Sequence, residues 1–311
     1  MTQPLVFPDI DPILVHLGPL AIRWYALAYI TGLLLAWFGI VWALRRGRLW
    51  AGAPFNGKRP ATEDQIGDLL VWATFGVILG GRLGWDLIYG TVLCSVSPYA
   101  GFCRGYPQAF LDNPIKIIAA WEGGMSFHGG LAGVVLAVWL FCRRQKLKLL
   151  PVADLVCAFA PMGLFFGRLA NFVNGELWGA PTTVPWAIRF VESAYGQTVL
   201  GPPRHPSQLY EAGLEGLVLF GILWFLFWRT QARYQPGKLV GAFIFFYGIF
   251  RFGIEFIREP DAQLTAFAQA TGLHMGQWLT VPMILGGLYL MVTAKGRRER
   301  IEPTAGTASV A

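Results

Sequence analysis

Arg168, Asn171 and Asn174 recur at every third position at the end of an apolar run, within Gly167-Arg168-Leu169-Ala170-Asn171-Phe172-Val173-Asn174-Gly175-Glu176-Leu177-Trp178-Gly179. On a helix that spacing puts all three on one face, and Glu176, just past Gly175, can turn back toward them. Arg251, Glu255 and Arg258 share one face of a later run in the same way. Charges inside lipid cost about 2.5–3.5 kcal/mol each on insertion scales. Arg23, Arg82, Arg168 and Arg251 all lie in apolar runs, so each needs a partner or a task. Guanidinium groups meeting at such a depth bind an anion through paired N–H donors. The plainer alternatives are an internal Arg251–Glu255 ion pair and an interhelical clamp made by Arg168 and the asparagines.

His128 adds a group that can move a proton near neutral pH. It stands in Gly124-Met125-Ser126-Phe127-His128-Gly129-Gly130, where glycines let another group approach the backbone. A purely structural histidine fits the same position. Arg82 has Asp86 one turn on, and that pair can neutralise itself. Trp24 and Tyr25 follow Arg23 where the first run begins, as an interfacial aromatic belt would.

These residues must be positioned by helices in a bilayer. The chain has 311 residues, of which 55% are hydrophobic and 14% charged, with mean hydropathy +0.48. That leaves room for several spans and modest loops, with no second large soluble domain. Apolar runs near 20–43, 66–90, 126–142, 152–173, 209–228, 239–257 and 277–294 predict seven transmembrane helices. The 126–142 run is short and glycine-rich at its start, which predicts a re-entrant or broken beginning. The first twenty residues carry four prolines and no basic start, so the first run is expected to stay as an uncleaved span.

Basic clusters follow alternate runs: Arg45, Arg46 and Arg48; Arg143, Arg144, Lys146 and Lys148; Arg229, Arg233 and Lys238; Lys295, Arg297, Arg298 and Arg300. The positive-inside rule then sets the N-terminus outside and the C-terminus in the cytoplasm. The expected organisation is one transmembrane catalytic domain over 1–300, with outer segments 91–125, 174–208 and 258–276, and a disordered tail over 301–311. The β-branched residues and prolines from Pro181 to Val191 predict a small β-containing head in the middle segment. His128, Arg168, Asn171, Glu176, Arg251, Glu255 and Arg258 then all fall in the outer half of the membrane. The abundant anion at that depth is a phospholipid phosphate.

The formal net charge of +7 reflects the loop clusters and does not outline a nucleic-acid surface. The four cysteines form no CxxC and no metal-ligand spacing, so neither a metal nor a cofactor is expected. Cys94 and Cys103 share one loop and can bridge in an oxidising compartment. A transporter of an anionic or lipid substrate is the main alternative from another class, yet no repeated halves are visible. An intramembrane serine protease using Ser126 or Ser207 lacks a Gly-x-Ser-x-Gly context. A non-catalytic scaffold would leave the arginines without purpose.

The segment Gly167–Gly179 resembles the signature Gly-Arg-x-(Gly/Ala)-Asn-Phe-x-Asn-x-Glu of bacterial prolipoprotein diacylglyceryl transferases. Three more blocks agree: Ser126-Phe127-His128-Gly129-Gly130, Arg204-His205-Pro206-Ser207-Gln208-Leu209-Tyr210-Glu211, and Arg251-Phe252-x-x-Glu255-Phe256-x-Arg258-Glu259-Pro260-Asp261. Ala170 stands where many members have Gly, and the 91–113 loop is longer than the family pattern needs. The resemblance implies an all-α polytopic inner-membrane protein with seven helices, a periplasmic head and two arms. It implies phosphatidylglycerol and a preprolipoprotein lipobox cysteine as substrates, and a thioether-linked product with glycerol 1-phosphate. It carries functional roles onto Tyr25, His128, Arg168, Asn171, Glu176, Arg251 and Glu255. Arg168 and Arg251 are expected on the lipid phosphate, Asn171 and Glu176 on the headgroup, Glu255 and Arg258 beside them, with His128 as the candidate base. The arginine-rich field, which alone could lower the thiol pKa, is the alternative to a base.

Overall fold

A computed structural model describes residues 4–8, 10–18, 20–52, 55–87, 125–194, 197–259 and 271–297. The 91–124 loop with Cys94 and Cys103, the stretch 260–270 and the 301–311 tail lie outside these residues. The helices, in chain order, are α1 (Trp24–Arg45), α2 (Glu63–Gly84), α3 (Phe127–Arg144), α4 (Leu149–Phe159), α5 (Pro161–Val173), α6 (Ser207–Arg229), α7 (Lys238–Ile254) and α8 (Met275–Thr293). The strands are β1 (Leu5–Val6), β2 (Ile13–Leu17), β3 (Leu20–Arg23), β4 (Ile188–Ala194) and β5 (Gln197–Arg204).

Within the described residues each of the seven apolar runs falls mainly on helix, the 152–173 run on the pair α4 and α5. Among the described residues, α1, α2, α6 and α8 are long and apolar enough to cross a membrane, and α4 with α5, bent by 41°, makes a fifth if the pair is counted as one broken span. Pro161 opens α5 with no N–H to continue the ladder of α4, which accounts for the bend. Leu34, Phe38, Phe75, Leu285 and Tyr289 stand exposed on these helices, as lipid-facing side chains do.

The chain divides into two compact units, Arg59–Val152 and the remainder. In the smaller unit, Thr62 and Gln65 cap α2 reciprocally: Gln65 N–H donates to Thr62 Oγ1 at 3.2 Å, and Thr62 N–H to Gln65 Oε1 at 2.9 Å. The expected broken start of α3 is not found within its described residues. Ser126 Oγ accepts the Gly129 N–H at 3.2 Å and caps a continuous helix from Phe127. The glycines serve packing instead. A Cβ on Gly133 would lie 2.1 Å from the Gly76 carbonyl oxygen, and one on Gly80 2.4 Å from that of Gly129. The two backbones therefore touch along a small-residue seam. Arg82, buried on α2, lies 3.6 Å from Asp86, the pairing their spacing implied.

In the larger unit, β2 and β3 form an antiparallel hairpin that leads into α1. The first apolar run was expected to be helical from 20, but Leu20–Arg23 is a strand, because Ile22 and its neighbours pair with β2 and Arg23 remains extended. A second sheet has the order β1-β4-β5, with β1 parallel to β4 and β4 antiparallel to β5. Phe7, Ile188 and Phe190 form its core, with Phe172 and Trp178 packed against them. The β-containing segment expected inside 174–208 is therefore present, although its strand begins at Ile188.

A long-range cap joins two helices of this unit, α4 and α7. Asp154 on α4 accepts the Gly237 N–H at 2.7 Å and the Val240 N–H at 2.8 Å, satisfying amides at the start of α7. α7 packs on α8 where a Cβ on Gly287 would lie 2.5 Å from the Phe245 nitrogen.

Candidate functional site

Three elements of the larger unit converge on a group of buried charges. α5 supplies Arg168, the start of α6 supplies Glu211 and Glu215, and the end of α7 supplies Arg251, Glu255 and, one turn on, Arg258. Arg168 Nε lies 2.7 Å from Glu211 Oε2, and its Nη2 donates to Glu215 Oε2 at 3.3 Å. Arg251 Nη2 lies 2.9 Å from Glu255 Oε2, while its Nη1 is 3.7 Å from Glu211 Oε1. Arg258 Nη1 is 3.8 Å from that same oxygen. Tyr247 on α7 is within electrostatic reach of Glu215 and Arg168.

Exposure separates the two signs of charge. The side chains of Glu211 and Glu215 are 1% and 0% exposed, whereas Arg168, Arg251 and Arg258 keep 16–18%. The carboxylates lie behind and the guanidinium groups in front. Buried anions thus offset the cost of bringing three cations together, and the arginine edges remain open to a ligand. Arg251 Nη1 is itself buried and makes no hydrogen bond among the described residues, its nearest charged partner being Glu211 at 3.7 Å. Burial, reinforced by Arg251, holds the Arg258 guanidinium below the usual arginine range, and Glu211 opposes that shift.

A local irregularity begins just after Glu211 and contains Glu215. Residues 212–218 of α6 are wound as a π-helix, a feature frequent at functional sites. There Gly216 meets Phe165 of α5, where a Cβ would lie 2.7 Å from the Phe165 Cβ.

Beside this cluster lies the polar stripe of α5. Glu176 turns back as its spacing implied: its Oε1 accepts from Asn171 Nδ2 at 2.9 Å and from Asn174 Nδ2 at 3.4 Å. Gly175 and Leu177, with φ of 63° and 58°, make the reversal. Gln208 Nε2 donates to the Glu176 carbonyl at 2.6 Å and Ser207 Oγ to that of Leu177 at 3.0 Å, tying the reversal to α6. Gly179 N–H donates to the His205 carbonyl at 2.8 Å, and Ala180 N–H to that of Ile257 at 2.9 Å. Gly179 has no room for a side chain, since a Cβ would lie 2.5 Å from the Ile257 oxygen. Arg204 pairs with Glu259 and faces the Trp178 ring.

Of the residues singled out in the sequence, the structure brings together Arg168, Arg251, Glu255 and Arg258, and separately Asn171 with Glu176. Tyr25, on α1, donates to the Tyr29 hydroxyl at 3.1 Å and is within electrostatic reach of Glu176 and Arg168. His128 is exposed at the start of α3 in the smaller unit, at one end of an apolar groove lined by Leu131, Val135 and Trp139. Glu211, Glu215 and Tyr247 were not anticipated as site residues. Two acids one turn apart inside an apolar run carried the same signal as the arginines.

Apolar helices with exposed hydrophobic exteriors and, in the larger unit, a buried arginine–carboxylate centre define a helical membrane protein with an ionic site. A family model described as prolipoprotein diacylglyceryl transferase matches residues 12–293, and the chain belongs to that family. It is similar to the phosphatidylglycerol–prolipoprotein diacylglyceryl transferase of Rhodospirillum rubrum, 49% identical over 294 residues that cover 94% of each chain. The proteins of the same name from Cereibacter sphaeroides and Phenylobacterium zucineum are 47% and 45% identical over 307 residues each, covering 93% and 97% of this chain and 97% and 98% of theirs.

Proposed function

We propose that this chain transfers the sn-1,2-diacylglyceryl group of phosphatidylglycerol to the thiol of a lipobox cysteine in a preprolipoprotein. A carbon–oxygen bond to phosphate breaks, a carbon–sulfur bond forms, and the thiol proton is given up as glycerol 1-phosphate leaves. The observation that carries this reading is the layering of the ionic centre, with guanidinium edges of Arg168, Arg251 and Arg258 in front of buried Glu211 and Glu215. Family membership supplies the substrate class, and the layering supplies a place for its phosphate.

Charge develops on the departing phosphate, and fixed guanidinium donors in a low-dielectric site stabilise it. Arg168 and Arg251 hold that group, with Arg258 adding charge. Glu255 fixes Arg251, and Asn171 with Glu176 orients the glycerol head. Tyr25 is within electrostatic reach of Arg168 and Glu176. His128 takes the proton of the lipobox thiol, making the thiolate that attacks. The protein spans the bacterial inner membrane seven times, with the N-terminus and a small head on the periplasmic side and the C-terminus in the cytoplasm. The segments 91–125, 174–208 and 258–276 form its periplasmic parts within a single catalytic domain over 1–300.

The test is complementation of a transferase-depleted bacterium, read by the mass of a reporter lipoprotein. Gain of one diacylglyceryl unit is expected, and an unmodified reporter would overturn the reading. His128→Gln should flatten the pH–rate profile on its acidic side; an unchanged profile would remove the base assignment.

A further inference from the structure

One histidine beside the ionic centre has no part in the reaction proposed above. His274 precedes α8 with extended backbone, φ −67° and ψ 152°, at the N-cap position. Its own N–H donates to Gln277 Oε1 at 3.0 Å, so the head of α8 holds it in place. Its ring nitrogen Nδ1 lies 4.0 Å from Glu255 Oε1. The other oxygen of that carboxylate, Oε2, is 2.9 Å from Arg251 Nη2. His274, Glu255 and Arg251 therefore stand in series, with one carboxylate shared between an imidazole and a guanidinium.

The carboxylate has little freedom to leave this position. A Cβ on Gly276 would lie 2.6 Å from Glu255 Oε1, so the first turn of α8 presses against it. Gln277 Nε2, reaching the Phe252 carbonyl at 3.5 Å, ties the same turn to α7. Among the described residues, the charged groups at the facing end of α7 are Arg251, Glu255 and Arg258, and α8 itself carries none. A change in the charge of His274 is thus felt first by Glu255.

We infer that His274 is a positioning residue that sets, through Glu255, how strongly Arg251 holds an anionic lipid headgroup. The inference rests on the proposed phosphate site. With a neutral ring, the charge of Glu255 is spent on Arg251. A protonated ring competes for that carboxylate and brings one more positive charge to the rim, so Arg251 turns more of its charge toward the lipid phosphate. Histidine changes charge between about pH 5 and 8. Protonation of the His274 ring therefore tightens the binding of phosphatidylglycerol.

The experiment measures equilibrium binding of fluorescent phosphatidylglycerol to the full chain in phosphatidylcholine nanodiscs, at about pH 5 and about pH 8. His274→Ser is the comparison, because serine keeps an oxygen at the helix cap and removes the titrating ring. The wild type should bind about threefold tighter at the acidic end, the scale of one unit charge several ångströms away in a high-dielectric setting. His274→Ser should lose that ratio. An equal ratio in the two proteins overturns the inference, as does wild-type binding that is absent or unchanged by pH. If His274→Ser does not elute as a folded species, His274→Gln replaces it under the same criteria.

A second measurement follows transfer to a lipobox peptide. The pH-dependent ratio should appear in KM for the lipid, with the pH dependence of kcat unchanged by the substitution. A protein that binds lipid with the His274-dependent ratio yet modifies no peptide contradicts the proposed transfer and leaves His274 in its role. Transfer whose KM ratio survives His274→Ser contradicts the role and leaves the transfer.

Discussion

Glu211 Oε2 lies 2.7 Å from Arg168 Nε, and the other oxygen of this buried carboxylate faces both Arg251 and Arg258 at 3.7 and 3.8 Å. One anion thus gathers cations from two helices and the turn beyond the second. Removing it leaves guanidinium groups buried against one another, the situation in which breaking a buried pair costs about 3–5 kcal/mol. Glu211→Ala is expected to lower the thermal midpoint in detergent and to abolish transfer. A midpoint and a rate equal to wild type would show that Glu211 holds nothing together.

Arg251 serves Glu255 and Glu211 from different nitrogens, which a lysine ammonium cannot do. Loss of one charge-assisted hydrogen bond is worth about 1.5–3 kcal/mol, or roughly ten- to a hundredfold in rate. Arg251→Lys should lose at least the lower figure in kcat/KM for phosphatidylglycerol. Full activity in a membrane assay would remove the bidentate role.

The seam between α2 and α3 admits no side chain at Gly133, where a Cβ would meet the Gly76 oxygen at 2.1 Å. Neither side of that contact is a flexible side chain, so the helices must separate. Gly133→Ala is expected to cost about 1–3 kcal/mol, in the range of overpacked cores. Thermal unfolding measures it, and an unshifted midpoint would mean that the seam is looser than its geometry.

His205 accepts the Gly179 N–H through its carbonyl, and its ring nitrogen Nδ1 lies 3.3 Å from the Tyr210 hydroxyl. Burial lowers its pKa from the ordinary 6.5. The neutral ring therefore favours the folded state. That contribution is complete above the ordinary value and is lost as pH falls through it to the lower folded value. Between about pH 8 and about pH 5, the wild-type midpoint should fall further than that of His205→Gln. Parallel falls would discount the histidine.

The helical part of the site was legible in the sequence because helix periodicity reports directly on shared faces. Asn171 and Asn174, three apart, both meet Glu176, and Arg251 meets Glu255 at four, as that spacing requires, whereas Arg168 turns to Glu211 and Glu215. Gly175 also announced the reversal that brings Glu176 back. The partners that balance the arginines were missed, since Glu211 and Glu215 come from a third element, and only tertiary structure decides which carboxylate faces which guanidinium. The glycines beside His128 were read as room for an approaching group, and the backbone of α2 is what approaches. Strand β3 was missed because Leu20–Arg23 is as apolar as the helix it precedes, and its pairing with β2 is visible only in three dimensions.

Asp154 caps α7 from a helix that precedes it by more than 80 positions. During synthesis, α4 leaves the ribosome with a carboxylate whose backbone donors do not yet exist. When α7 emerges, its first turn arrives with open amides that this carboxylate is placed to receive. The two segments are thereby linked, and α7 carries Arg251 of the ionic site on the same helix that this cap begins.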